Sequence, residues 1–168
     1  SSVLLNNGTV LVFGDTDNGS AEIYDPSTGT WSATGSMNSP RRSSSANLLD
    51  DGRVLVAGGA DVTKSGDVQF ASSEIYDPSS GEWTITGDML EIHSGQGSIV
   101  IDGKVIIFGQ FLSEMYDSST GVWSSIGIPA VERSRGTGVI MLKDGTVMIA
   151  GGEWKQPGWQ GQTHVMAT

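Results

Sequence analysis

Four short aliphatic runs, each closed by glycine, divide the chain: VLVFG at 10–14, VLVAGG at 54–59, VIIFG at 105–109 and VMIAGG at 147–152. Apolar character held over four or more successive residues predicts strands buried on both faces. A smaller apolar strand precedes each run, at Val3–Leu5, Ala46–Leu49, Ser98–Ile101 and Val139–Leu142. Between the two strands lies Asn7-Gly8, Asp51-Gly52, Asp102-Gly103 or Asp144-Gly145. Such dipeptides between apolar runs predict hairpins, because Asn and Gly accept the positive φ of a tight turn. No window sustains a 3.6-residue apolar period, so no helix is expected.

Three of the runs lead into one recurring phrase: EIYDPSTGTW at 22–31, EIYDPSSGEW at 74–83 and EMYDSSTGVW at 114–123. Its first half predicts a third strand ending at an Asp-Pro turn, where proline supplies no ladder donor; the third copy reads Asp117-Ser118 instead. The fourth strand is expected to open on the Trp.

The spacing separates fixed from variable parts. Glu22 to Trp31, Glu74 to Trp83 and Glu114 to Trp123 are all 9 residues, and each Trp lies 22 to 24 residues before the next aliphatic run. From Val10, Val54 and Val105 to the following Glu, the separations are 12, 20 and 9. Length variation confined to one connection marks a single variable face on a constant scaffold. A lone four-stranded sheet cannot bury both of its apolar faces, whereas sheets stacked about an axis can, as blades of a propeller do.

On these residues the chain resembles kelch repeats of the bacterial type and of galactose oxidase-like propellers, over residues 1 to about 152. The resemblance implies an all-β, kelch-type β-propeller segment with three complete four-stranded antiparallel blades and part of a fourth. The blades run at about 1–35, 36–87, 88–127 and 128–168. Gly58-Gly59 and Gly151-Gly152 keep the double glycine of such repeats, whereas Gly14-Asp15 and Gly109-Gln110 depart from it. Propellers of this kind usually have more blades, so further blades are expected to close the ring. They would come from a longer chain of which this is a piece, from a second copy or from another subunit, and the first is favoured by Ser1-Ser2 in place of an initiator Met.

Composition narrows the partners. Nine basic against nineteen acidic side chains give a formal charge of −10, which opposes binding to nucleic acid or an anionic membrane. No apolar stretch is long enough to insert as a transmembrane helix. Within these residues the absence of Cys removes disulfides, thiolate nucleophiles and the Tyr–Cys crosslink of the copper oxidases that share the fold, though not from any further part of a longer chain. Asn7-Gly8-Thr9 and Asn18-Gly19-Ser20 are glycosylation sequons and favour an extracellular or cell-surface location.

Tyr24, Tyr76 and Tyr116 with Trp31, Trp83 and Trp123 recur at one place per blade and are expected to pack between blades. Arg42, His93 and Arg135 each stand 12 residues before the next aliphatic run. Equivalent placement would form a basic ring able to receive a carboxylate or polar peptide; alternatively these side chains pair with Glu91, Glu132 or loop carbonyls. Lys64 and Gln69 in the long 60–71 loop, and Trp154 and Trp159 near the C-terminus, are further partner candidates. Asp15 to Gly19 lacks the ligand order of a calcium loop, and the chain shows no nucleophile elbow, metal-binding His motif or phosphate loop. No cofactor, metal or catalytic residue is therefore expected. The resulting expectation is a scaffold that binds a protein or carbohydrate, with part of a carbohydrate-active enzyme as the alternative.

Overall fold

The computed structural model describes residues 1–14, 16–61, 68–129 and 136–152. The first blade is β1 (Ser2–Leu4), β2 (Val10–Phe13), β3 (Ala21–Asp25) and β4 (Thr30–Thr34), antiparallel in that order. A two-residue strand β5 (Arg41–Arg42) comes before β6 (Ser45–Leu48) and β7 (Val54–Ala57); β8 (Ala60–Asp61) then returns to pair with β5. β9 (Ser73–Asp77) and β10 (Glu82–Thr86) complete the second blade in the order β6-β7-β9-β10. The third is β11 (Ser98–Ile101), β12 (Lys104–Phe108), β13 (Ser113–Asp117) and β14 (Val122–Gly127), and β15 (Thr137–Met141) pairs with β16 (Val147–Gly151) to begin a fourth. The fourth strands begin just before their Trp, because the register pairs Trp31, Trp83 and Trp123 with Tyr24, Tyr76 and Tyr116.

β1 lies beside β6, β6 beside β11 and β11 beside β15, so the first strands of successive sheets line one inner side. Alternation along β7 then divides the cores. Val54 and Val56 join Leu11, Phe13, Met37 and Trp83 toward the first blade, while Leu55 and Ala57 join Val105, Ile107, Met89 and Trp123 toward the third. All four β7 side chains are buried, as their unbroken apolar run requires.

Only one hairpin is the tight turn that the Asx-Gly dipeptides suggest. Ile101 pairs with Lys104 around Asp102 (φ 49°) and Gly103 (φ 72°), the two positive angles of a two-residue turn. In the other three sheets the strands part earlier, as where Leu48 pairs with Val54, and Asn7, Asp51 or Asp144 instead accepts the backbone N–H two residues on at 3.0 Å.

The phrase turn is likewise set by its aspartate more than by its proline. Asp25, Asp77 and Asp117 each accept the N–H and hydroxyl of the Ser two residues on, with or without proline between. The Ser hydroxyls hold Asp25 and Asp77 below the usual carboxylate range, and Thr146 does so for Asp144. For Asp117 the first cause is the Lys104 ammonium at 2.6 Å, then Ser119. A depressed folded-state pKa contributes stability that is present above the unfolded value, about 3.9, and is lost as pH falls through the folded values. The melting temperature should therefore drop on acidification below about pH 4, and Asp117→Asn should flatten that slope in thermal melts taken between about pH 2 and 6.

Candidate functional site

Among the described residues, the seams between blades are built from one polar clamp used twice. In β9, Glu74 is 1% exposed, and its carboxylate accepts Asn38 N–H at 2.8 Å, Asn38 Nδ2 at 3.0 Å, Ser39 N–H at 3.0 Å and Arg41 Nη2 at 2.8 Å. In β13, Glu114 accepts Leu90 N–H at 2.6 Å, Glu91 N–H at 3.0 Å and His93 Nε2 at 2.9 Å. Each clamp thus ties the third strand of one blade to the connection leaving the blade before it. Buried charges persist only when so paired. Arg41 is fully buried; burial pulls its pKa below the usual value, and the charge of Glu74 opposes that. Its remaining donors reach the carbonyls of Ser39, Gly58 and Ser72 and the Ser72 hydroxyl, and Phe70 lies 4.9 Å from its guanidinium carbon.

The aromatic repeats complete the seams. Trp83 Nε1 donates to the Gly35 carbonyl at 2.8 Å and Trp123 Nε1 to the Ser73 hydroxyl at 3.1 Å. The Tyr76 and Thr34 hydroxyls share a hydrogen bond at 2.8 Å, as do those of Tyr116 and Thr86 at 2.7 Å. Gly35 and Gly87 pass so close to the next blade's turn that an added Cβ would overlap the carbonyls of Gly81 and Gly121.

These seams correct the basic ring. Ala46 pairs with Val56 and Ser98 with Ile107, and five residues before Ala46 and Ser98 stand Arg41 and His93. Arg41, not Arg42, is therefore the counterpart of His93. A 12-residue count crosses a hairpin that is one residue longer in the second blade than in the third, which shifts the match by one. Arg42 is exposed on β5. His93 is 4% exposed and donates to Glu114, not to Glu91; its Nδ1 is buried without a partner among the described residues. Gln69 is half-buried and bridges to Ala60, which folds the base of the long loop into a short ribbon. Lys64, Glu132, Arg135, Trp154 and Trp159 lie outside the described residues.

On the side of the blades that carries Arg42, the connections expose apolar side chains. Leu90 is 60% exposed, Ile92 57%, Phe111 56% and Val68 43%. They share one side of the blades. The His93 carbonyl accepts Gly59 N–H at 2.7 Å, the Gly59 carbonyl accepts Phe70 N–H at 2.9 Å, and an added Cβ on Gly109 would overlap the His93 ring. Spacing along the sequence marks the recurring glutamates but assigns them no partner. Their signal is an acid held at one place, directly before an apolar residue and a Tyr, in every copy.

Comparison with known proteins places this geometry. No family model matches the chain. The solved structure of YjhT superposes with a TM-score of 0.73 at 18% identity, over 89% of this chain and 56% of that one. The chain is 36% identical over 78 residues to galactose oxidase of Gibberella zeae, covering 46% of this chain and 11% of the oxidase. It is 28% identical over 101 residues to spermatocyte protein spe-26 of Caenorhabditis elegans, covering 58% of this chain and 18% of that protein. The chain thus spans less than a fifth of either curated relative. Repeat, blade topology and superposition together define a segment of a kelch-type β-propeller.

Proposed function

We propose that the chain is a non-catalytic propeller scaffold that captures a protein or carbohydrate partner on the side formed by its inter-blade connections. The observation that carries the reading is the exposure of Leu90, Ile92 and Phe111 on connections that share one side of the blades with the exposed Arg42. Apolar groups beside a guanidinium suit anchoring of a partner better than solvation does. Gln69 belongs to the same surface, and the proposal extends to Lys64, Glu132, Arg135, Trp154 and Trp159 by their places in the sequence. His93 supports this side through its clamp and does not face a ligand. An extracellular or cell-surface location is part of the proposal, supported by the exposed sequon residues Asn7 and Asn18 on turns.

Substituting Arg42→Ala, Leu90→Ser, Ile92→Ser and Phe111→Ser together should abolish capture in a screen of immobilised oligosaccharides and peptides. Because none of the four is buried, each change should leave stability within about 0.5 kcal/mol. Undiminished capture would reject the surface. The match to galactose oxidase favours a second reading, part of a carbohydrate-active oxidase whose catalytic groups lie largely outside these residues. Bound copper together with peroxide production from sugar alcohols would establish that reading; their absence from the intact protein would dispose of it.

A further inference from the structure

The side of the blades opposite the connections carries a cleft of about 440 Å³ between the β1–β2 hairpin, the β6–β7 hairpin and the β9–β10 turn. Asn6, Asp51, Arg53, Asp77 and Pro78 line it, together with the buried Leu5. One carboxylate there lacks what its counterpart in the third blade has. Lys104 stands opposite Asp117 across β12 and β13, and its ammonium meets Asp117 Oδ2 at 2.6 Å while Ser119 donates to Oδ1. Arg53 stands opposite Asp77 in the same way, one step beyond the Val54–Tyr76 pair, and Ser79 donates to Asp77 Oδ1. The Arg53 guanidinium nevertheless turns to Asp51, with Nε at 2.9 Å and Nη2 at 2.7 Å from its Oδ2. Among the described residues no cation makes an ion pair with Asp77. The Ser79 hydroxyl and N–H keep its carboxyl below the usual range, and Arg53 adds to that only weakly.

Hairpin length explains the difference. The tight β11–β12 turn places Asp102 at a φ of 49°, and Lys104 crosses to Asp117. The longer β6–β7 turn brings Asp51 back onto the Arg53 N–H and guanidinium instead. The third blade thus states what the open oxygen of this aspartate accepts. We propose that the cleft binds a primary alkylammonium, its head at Asp77 Oδ2 with Asn6 as a further acceptor, and its alkyl chain against the half-buried Pro78. Arg53 opposes such a ligand little, because Asp51 neutralises it. An anion is repelled by Asp51, by Asp77 and by a chain of formal charge −10. A divalent ion would find one unpaired carboxylate beside a guanidinium, too few oxygen ligands for a hard cation. Ion pairs so close to water are weak, so affinity in the millimolar range is expected. The cleft lies across the scaffold from Arg42, so its test is independent of capture at the connections.

The amide signal of Ser79, whose N–H donates to Asp77, supplies the readout in the isotope-labelled chain. It should shift saturably with butylamine and with a blocked lysine amide, but not with the same lysine amide acetylated at Nζ. Asp77→Asn keeps an oxygen for the Ser79 turn while removing the charge, and should weaken binding about tenfold or more. Asp25→Asn makes the same change at the first blade's turn, which does not line the cleft, and should leave binding as it was. Tighter binding of the blocked lysine than of butylamine assigns the ammonium to a partner's side chain; equal binding assigns it to free amines. No saturable shift, or an equal response to the acetylated compound, would overturn the proposal. So would equal weakening by Asp77→Asn and Asp25→Asn, which would reduce the binding to diffuse attraction toward an acidic chain.

Discussion

Replacing Glu74 by alanine should cost about 3–5 kcal/mol of stability, because it strands the fully buried Arg41 guanidinium without its counter-charge. It also removes the acceptor of the Asn38 and Ser39 N–H groups, but Asn38 is exposed and Ser39 half-buried, so water can take its place and most of the cost falls on Arg41. Two further variants separate these effects. Arg41→Met leaves the carboxylate its three other donors and should cost less than Glu74→Ala. Arg41→Met combined with Glu74→Leu removes both charges but not the need for an acceptor, so it should remain destabilising. Glu22→Ala, at the uncovered copy of the same position, should change stability by no more than about 0.5 kcal/mol. Urea denaturation of the five proteins checks the order; equal costs at Glu22 and Glu74 would contradict the clamp.

Truncating Trp83 or Trp123 to alanine should cost about 3–5 kcal/mol each, the range for removing a large buried aromatic side chain. Both sit in seam cores, both donate a hydrogen bond across the seam, and Trp83 also meets Phe13 edge-on at 5.5 Å. Trp31→Ala removes a side chain that is more than half exposed and stacks on one tyrosine, so about 1 kcal/mol is expected. The sequence environment of the three is nearly identical, which makes the contrast a direct measure of what a neighbouring blade contributes. Urea midpoints with unchanged m-values would record it; a Trp31 effect as large as the Trp83 effect would show that the first blade's tryptophan is covered after all.

Strand identity, blade grouping and the seam role of Trp83 and Trp123 are legible from the chain because they follow from local patterns repeated three times. A strand buried on both faces has to read as an unbroken apolar run, and VLVA at Val54–Ala57 does. What escapes such reading depends on register across turns and on neighbours. Two adjacent arginines look interchangeable in one dimension, but β5 points them to opposite sides, Arg41 inward to Glu74 and Arg42 outward to solvent. The five-residue separation from the inner strand distinguishes them; the longer count across the hairpin does not. Trp31 illustrates the other limit. Its own sequence is that of a packing residue, and its exposure arises from what lies beside the first blade.

The clamps also bear on how the polypeptide acquires its shape during synthesis. Glu74 finds its partners 33 to 36 positions back along the chain, at Asn38 to Arg41, and Glu114 finds its own 21 to 24 back, at Leu90 to His93. Each separation is shorter than one repeat, so a joint closes between neighbouring units of chain and needs nothing further along it. On a ribosome, one joint can lock as soon as the next glutamate emerges, so assembly would advance from the N-terminus one wedge at a time, well before translation is complete.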